Sequence, residues 1–137
     1  MPTLSQIAAA SGAPAPADRF VGVTAANADI LWTYMQAAAA PPNTQTGTTY
    51  TLVLADFNGV VEMNNASVNT LTIPPHATVA FPVGAVILVI QFGTGQTTIA
   101  VGAGVTTRAP FGLVIGGQFH LATLYQRAVN DWYVWVN

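Results

Sequence analysis

The chain contains no cysteine and no lysine, and only eight of its 137 residues carry a formal charge. The absence of cysteine excludes disulfides and thiolate metal sites. Charged residues make up 6% of the sequence, where about 25% is usual, and 52% of the residues are apolar. An isolated domain of this composition would have a largely neutral surface, and such surfaces associate. The sequence therefore predicts either entry into a membrane or cover by other subunits.

The sequence argues against both membrane insertion and nucleic-acid binding. The most apolar run, Val79–Ile90, is interrupted by Pro82 and Gly84 and is shorter than the roughly 20 residues of a spanning helix. The start of the chain lacks the basic and apolar regions of a signal peptide. Phosphate binding needs clustered cations, but the net charge is -2 and the only cations are three scattered arginines. We expect a soluble, assembled protein with no membrane insertion and no nucleic-acid partner.

Residues 1–47 differ in character from the rest of the chain and are predicted to form an anchoring segment. Thr3–Ala10 is typical of a short helix, Ser11–Asp18 of a stiff Pro/Ala linker, and Arg19–Val23 of a short strand. A second helix is predicted at Ala28–Ala40, ended by two prolines. The following stretch, Asn43–Thr49, is predicted to be a polar linker.

The second helix carries a stripe of large apolar side chains at helical spacing. A helix this short is marginal alone in water, so the stripe must dock on a partner or on the chain's own β-domain. Aromatic side chains dominate interface hot spots, which makes this helix the candidate anchor. Its candidate contact residues are Ile30, Leu31, Trp32, Tyr34 and Met35.

Residues 48–137 are predicted to be mainly β, because short runs of Val, Ile, Leu, Thr and aromatics alternate with Gly, Asn and Pro. The Asn58-Gly59 pair is typical of a tight type I′ turn. Nine short strands at this spacing predict an antiparallel β-sandwich or a jelly-roll-like domain. The predicted strands are Tyr50–Leu54, Val60–Asn64, Thr70–Ile73, Thr78–Phe81, Ala85–Phe92, Gln96–Ala100, Val105–Arg108, Phe119–Tyr125 and Trp132–Val136.

The strongest strands are apolar on both faces. In the last one, Trp132, Val134 and Val136 point to one side, while Tyr133 and Trp135 point to the other. A sheet with one wet face should instead alternate cleanly between apolar and polar residues. One face can fill the core, so the other needs a neighbour. The candidate residues for an interface between copies are Val86, Leu88, Ile90, Tyr133 and Trp135.

The residues that could carry chemistry are few and scattered. Asp56 and Glu62 are the one conceivable glycosidase-like carboxylate pair, but turn and surface roles explain them more simply. His120 is expected to be a buried, hydrogen-bonded histidine, or an ion ligand if its strand lines a threefold axis. Trp132, Tyr133 and Trp135 are expected to pack in the core or an interface, with stacking on sugar rings as the alternative. No catalytic residue, cofactor or metal site is predicted.

Three segments, Thr49–Pro75, Phe81–Pro110 and Gly117–Trp135, resemble a β-rich module of tailed-bacteriophage virion proteins. The module occurs in head fibres, capsid decoration proteins and the distal parts of tail fibres. Its marks here are Asn-Asn-Ala-Ser, Thr-Ile-Pro, Phe-Pro-Val-Gly, Gly-Gln-Thr-Thr-Ile and a terminal Asp-Trp strand, in that order. The N-terminal segment also looks like the short attachment head that precedes such modules.

The resemblance implies a homotrimer located in the virion. We expect a non-enzymatic head-fibre or decoration protein, anchored by residues 1–47 to the major capsid protein and displaying residues 48–137 on the capsid surface. Because the sequence starts at Met1 and ends after one module, we favour capsid decoration over a second possibility. That alternative is the receptor-binding tip of a tail fibre or spike that recognises a host surface glycan or protein.

Overall fold

The first seven strands of the chain alternate between two sheets. The structure is a computed structural model that describes residues 40–137, so the predictions made for residues 1–39 lie outside the described part. Within that part a single helical turn of the 3-10 type, Leu54–Asp56, separates two strands. The strands are β1 (Asn43–Gln45), β2 (Thr49–Thr51), β3 (Val60–Met63), β4 (Asn69–Ile73), β5 (Val86–Gln91), β6 (Thr97–Val101), β7 (Thr106–Arg108), β8 (Leu121–Ala128) and β9 (Asp131–Val136).

The first six strands form a parallel coil that passes through both sheets on every turn. One sheet has six strands in the order β1-β3-β5-β8-β9-β7, and the other has three in the order β2-β4-β6. The pairs β1–β3, β3–β5, β2–β4 and β4–β6 are all parallel. Each coil therefore contributes one strand to each sheet and stacks on the coil before it, which is the arrangement of a β-solenoid.

The second and third coils stack with one constant offset. Met63 pairs with Gln91 in the six-stranded sheet, and Asn69 pairs with Thr97 in the other, 28 residues further on in both cases. The turns that join the two sheets are therefore equal in length in these coils and lie on one another. Shifting either strand by one residue would turn its buried side chains outward, so the two sheets hold each other in register.

A buried polar cluster marks the corner at which the sheets meet. The Thr97 hydroxyl donates to Asn69 Oδ1 at 2.7 Å, and Asn69 Nδ2 donates to the Ser67 carbonyl at 3.1 Å. Gln91 Oε1 accepts from the Thr97 amide at 3.1 Å and from Gln96 Nε2 at 3.2 Å. Buried polar groups are costly unless they are paired, and these pairs join both sheets and two successive coils.

Two glycines in the third coil allow its turn to lie directly on the turn below. A Cβ atom on Gly93 would stand 2.3 Å from the Asn65 carbonyl oxygen, and one on Gly95 would stand 2.0 Å from that of Ser67. The Gly95 amide donates to the Asn65 carbonyl at 2.9 Å. Only a residue without a side chain permits this approach of one backbone to another.

Both sheets bury one face in a common core. Leu71 and Ile99 point inward from the three-stranded sheet, and Val61, Val89 and Leu124 point inward from the six-stranded sheet. Phe81, in the connection between β4 and β5, packs edge-on against Trp132 with ring centroids 5.6 Å apart. Residues 41–137 form one compact unit around this core.

The first coil is held together by a second polar cluster, centred on the buried carboxylate of Asp56. This carboxylate accepts from Asn43 Nδ2 at 2.8 Å, from the Tyr50 hydroxyl at 2.9 Å and from the Val53 amide at 2.9 Å. Burial, followed by the hydrogen bond to Asp56, raises the pKa of Tyr50 to about 12. Two short strands and the helical turn are thereby held together.

The last three strands complete the six-stranded sheet, with both parallel and antiparallel pairing. β8 pairs antiparallel with β5 and with β9, while β7 pairs parallel with the far edge of β9. The β8–β9 hairpin turns through Asn130, which has a φ of 57°. The residues just after β7 return to β6, where Val114 forms an antiparallel bridge with Thr98.

The prediction of a mainly β fold is confirmed, but the predicted antiparallel pairing is wrong for the coil. Jelly rolls are built from antiparallel strands, so the parallel pairing of β1 to β6 also excludes jelly-roll connections there. Eight of the nine predicted strands overlap observed ones. The exception is Thr78–Phe81, whose first two amides donate to the Pro75 carbonyl in a turn.

Two further expectations are corrected. The predicted polar linker at Asn43–Thr49 contains β1 and begins β2, because parallel pairing with the next coil satisfies its backbone. The Asn58-Gly59 pair is not a type I′ turn, since Asn58 has a positive φ of 54° but Gly59 does not. It follows the helical turn instead of joining two antiparallel strands.

Replacing Gly95 by alanine tests the stacking of the turns. The new methyl group must displace the Ser67 backbone, and we expect a loss of about 1–3 kcal/mol in the free energy of unfolding. Gly47→Ala is the matched control, because a Cβ there stands 3.5 Å from its nearest neighbour, and its effect should stay within about 1 kcal/mol. Urea denaturation measures both variants, and equal effects would contradict the stacked arrangement.

The Asp56 cluster predicts an unusual tyrosine titration. Because the folded state holds the Tyr50 proton more tightly than the ordinary value of 10.0 allows, the resulting stabilisation is present below that pH and is lost as pH rises toward about 12. The difference between the phenolate absorbance titrations of wild type and Tyr50→Phe isolates this group. Asp56→Ala should lower its pKa; a difference curve centred near 10 in the wild type would contradict the cluster.

Candidate functional site

The side of the six-stranded sheet that faces away from the core is largely apolar. Along β5 and β9, burial alternates strictly between residues, so that every second side chain lies on this side. We call this surface the outer face. It consists of Val60 and Glu62 from β3, Val86, Leu88 and Ile90 from β5, Leu121, Thr123 and Tyr125 from β8, and Tyr133 and Trp135 from β9.

All five residues predicted to form an interface between copies lie on the outer face. Strand register places them in adjoining rows, with Val86, Tyr125 and Tyr133 side by side in one row. Leu88, Thr123 and Trp135 form the next row, and Ile90 and Leu121 the row after that. Residues that are far apart in sequence thus form one continuous patch.

Aromatic rings form the most exposed part of this patch. Tyr125 and Tyr133 stack with ring centroids 6.4 Å apart and an interplanar angle of 19°. Trp135, with 57% of its surface exposed, meets Phe111 edge-on at 5.2 Å. Monomeric proteins rarely expose large continuous apolar patches, which usually mark interaction sites. The outer face is therefore the candidate functional site.

A charged cluster lies at one corner of the outer face. Asp131 accepts from Arg108 Nε at 3.1 Å and from Arg127 Nη1 at 2.8 Å. Arg127 stands where the β8–β9 register shifts between Gln126 and Ala128. Such a bulge re-aims a side chain, and here the guanidinium reaches the carboxylate on the neighbouring strand.

The cluster shifts the acidity of its own members. The hydrogen bond from Arg108 holds the pKa of Asp131 below its ordinary value of 3.8, with Arg127 adding to the effect. The same bond raises the pKa of Arg108. Both arginine side chains are half exposed. Because two arginines share one aspartate, the cluster has one net positive charge at the edge of an apolar surface.

The structure does not bring the conceivable catalytic acids together. Asp56 is buried and holds its own cluster, whereas Glu62 points to the outer face and accepts from the Thr44 hydroxyl at 2.9 Å. Within residues 40–137, no group of three His, Asp or Glu side chains could hold a metal ion. None of the described helical segments is long and apolar enough to cross a membrane.

The outcomes for the other predicted site residues differ from one residue to the next. His120 is exposed, not buried, and its Nδ1 lies 3.0 Å from the Asn137 carbonyl just before β8 begins. Trp132 is buried in the core, which confirms the core alternative for that residue and leaves only Tyr133 and Trp135 at the surface. The anchor candidates Ile30, Leu31, Trp32, Tyr34 and Met35 lie outside the described residues.

Sequence reasoning missed several members of the site. Leu121 and Tyr125 follow the same alternation as the predicted residues, so a period of two carried along β8 would have found them. Phe111 and the arginine cluster are different, because they lie in a loop, on an edge strand and at a bulge. No local pattern indicates that they lie beside β9.

Comparison of the chain with protein-family models, with curated proteins and with solved structures gives no match.

Proposed function

We propose that this chain is a non-enzymatic structural protein of a bacteriophage virion, whose β-domain assembles as a homotrimer through the outer face. The observation that carries the proposal is the continuous apolar surface on a sheet whose other side already fills the core. Burying such a surface stabilises an assembly by about 25 cal/mol per Å². Copies of the same chain are the partner we propose, because the domain has few charges with which to select a foreign one.

Assembly also explains the composition. In the described part of the chain only five side chains carry a formal charge, and one of them, Asp56, is buried. A domain with so little charge stays in solution more easily when its apolar face is covered. Threonine, asparagine and glutamine would then supply most of the remaining solvated surface.

The virion location and the number of three copies are supported by the resemblance to tailed-phage modules. On this proposal the protein decorates the capsid surface as a head fibre or cement protein. Its N-terminal segment would contact the major capsid protein. Three linked anchors raise the effective concentration at the capsid, so that avidity replaces a large single interface.

A second candidate function is favoured by the exposed aromatic pairs. Phe92 and Phe119 meet edge-on at 5.8 Å, and 67% of the surface of Phe119 is exposed. Exposed aromatic rings can bury apolar ligand surface at a small entropic cost. In this alternative the domain is the tip of a tail fibre or spike that binds a host glycan or protein.

Removing aromatic rings from the outer face should dissociate the assembly. We expect Tyr133→Ser and Trp135→Ser each to weaken self-association at least about tenfold, because aromatic side chains dominate interface energies. Phe57→Ser is the matched control, since Phe57 is as exposed as Tyr133, at 41% and 40%, but lies beside the helical turn. Sedimentation velocity measures the mass; a wild-type protein near 14.2 kDa at every concentration would contradict the proposal.

The location in the virion is tested separately. An antibody against residues 41–137 should label the capsid surface of purified virions that contain this chain, and cryo-electron microscopy should place the domain on capsid hexamers or pentamers. Labelling confined to the tail would overturn decoration in favour of the fibre tip. Absence of the chain from purified virions would overturn both.

A further inference from the structure

Nearly all the formal charge of the described part lies on one side of one sheet. Asp56 is buried in the first coil. Glu62, Arg108, Arg127 and Asp131 are all on the outer-face side of the six-stranded sheet. A domain that stays in solution with so few charged side chains does not need to place them around its most apolar surface for solubility. Their position points to a role in what that surface binds.

The two signs of charge are separated across the outer face. Glu62 is on β3 and is level with Ile90, near the C-terminal end of β5. Arg108 is on the edge strand β7, in the row that contains Tyr133, Tyr125 and Val86, whereas β3 lies one strand in from the opposite edge. Since Val86 begins β5, Glu62 and the arginine cluster lie near diagonally opposite corners, with the apolar rows between them.

Each corner has binding capacity left over. Glu62 receives one hydrogen bond, from Thr44, within residues 40–137. At the other corner one carboxylate is shared by two guanidinium groups, each of which has five N–H donors. The Glu62 corner thus has a net charge of minus one, and the arginine cluster has a net charge of plus one. The two corners are complementary in charge.

We propose that neighbouring copies meet with unlike corners together, so that Glu62 of one copy pairs with the Arg108–Arg127 cluster of the next. This inference rests on the proposed self-assembly through the outer face and adds to it the arrangement of the copies. In the proposed trimer the contact is heterologous, because each copy presents its Glu62 corner to one neighbour and its arginine cluster to the other, and such contacts form a ring when the rotation between copies closes. Three copies then form three equivalent contacts.

The charges act on the geometry of the assembly more than on its strength. The apolar rows supply affinity in any relative orientation that buries them. An orientation with like corners together would place Glu62 beside a second Glu62, or guanidinium beside guanidinium, without a counterion. Like charges brought together at an interface are strongly disfavoured. The two corners therefore select one register among those that the apolar surface allows.

A charge-reversal cycle tests this arrangement. Glu62→Arg and Arg127→Glu should each weaken self-association at least about tenfold, because each places like charges in contact. The double variant exchanges the two charges and should associate within about threefold of wild type. Thr72→Arg, which adds a charge on β4 in the other sheet, should have little effect. Sedimentation velocity over a concentration series gives the constants, and circular dichroism checks that each variant is folded.

The possible failures are distinguishable. If wild type associates but the single reversals and the conservative variant Glu62→Gln leave its dissociation constant unchanged, the corner pairing is wrong while self-assembly stands. A double variant that is as weak as the two single variants combined also overturns the pairing. A wild-type protein that never associates overturns the proposed assembly and this inference with it. If a single reversal fails to fold, intermolecular cross-linking of Glu62→Cys with Arg127→Cys decides, and absence of the cross-link in the assembled protein contradicts the pairing.

Discussion

The hydrogen bonding of each coil to the coil before it, in two sheets at once, is the constraint on which the rest of the structure depends. β3 and β4 are joined by a short turn, and both must pair in parallel with the strands 28 residues further on. A shift in one sheet would break the pairing in the other. The Asn69–Thr97 hydrogen bond and the close approach of Gly95 to Ser67 are possible only in this register.

The same constraint decides which side chains are left outside. With the coil in register, alternate residues of β5 enter the core and the others form the outer face. The closing strands β8 and β9 continue this division, so that Tyr125, Tyr133 and Trp135 join the rows started by the coil. The patch that we propose as the interface between copies is thus a direct consequence of how the core is filled.

How much could be predicted from the sequence depends on the range of the information needed. Runs of β-forming residues bounded by Gly, Asn and Pro were enough to find eight of the nine observed strands, and the period of two within a strand placed Tyr133 and Trp135 on one face. Pairing direction was not predictable this way, because parallel and antiparallel partners impose the same alternation on a short strand. β1 was missed since Asn43–Gln45 is polar and is ordered by its pairing with β3.

The candidate site divides along the same line. Its apolar rows are regular strand residues and follow from a period of two. Its charged corners do not follow from this period, because Glu62, Arg108 and Asp131 are brought to one surface by pairings between β3 and β5 and between β7 and β9. The composition predicted that some surface must be covered. Only the topology shows which apolar surface is continuous and is not packed against the core.

The central claim, that copies of the chain meet through the outer face, is tested most directly by isotope-filtered nuclear Overhauser measurements on a mixture of labelled and unlabelled protein. The account predicts intermolecular contacts to the protons of Leu88, Tyr133 and Trp135, on the six-stranded sheet. Intermolecular contacts confined to the outward residues of the three-stranded sheet, such as Thr70 and Thr72, would contradict it, as would the absence of any intermolecular contact at concentrations where the protein sediments as an assembly.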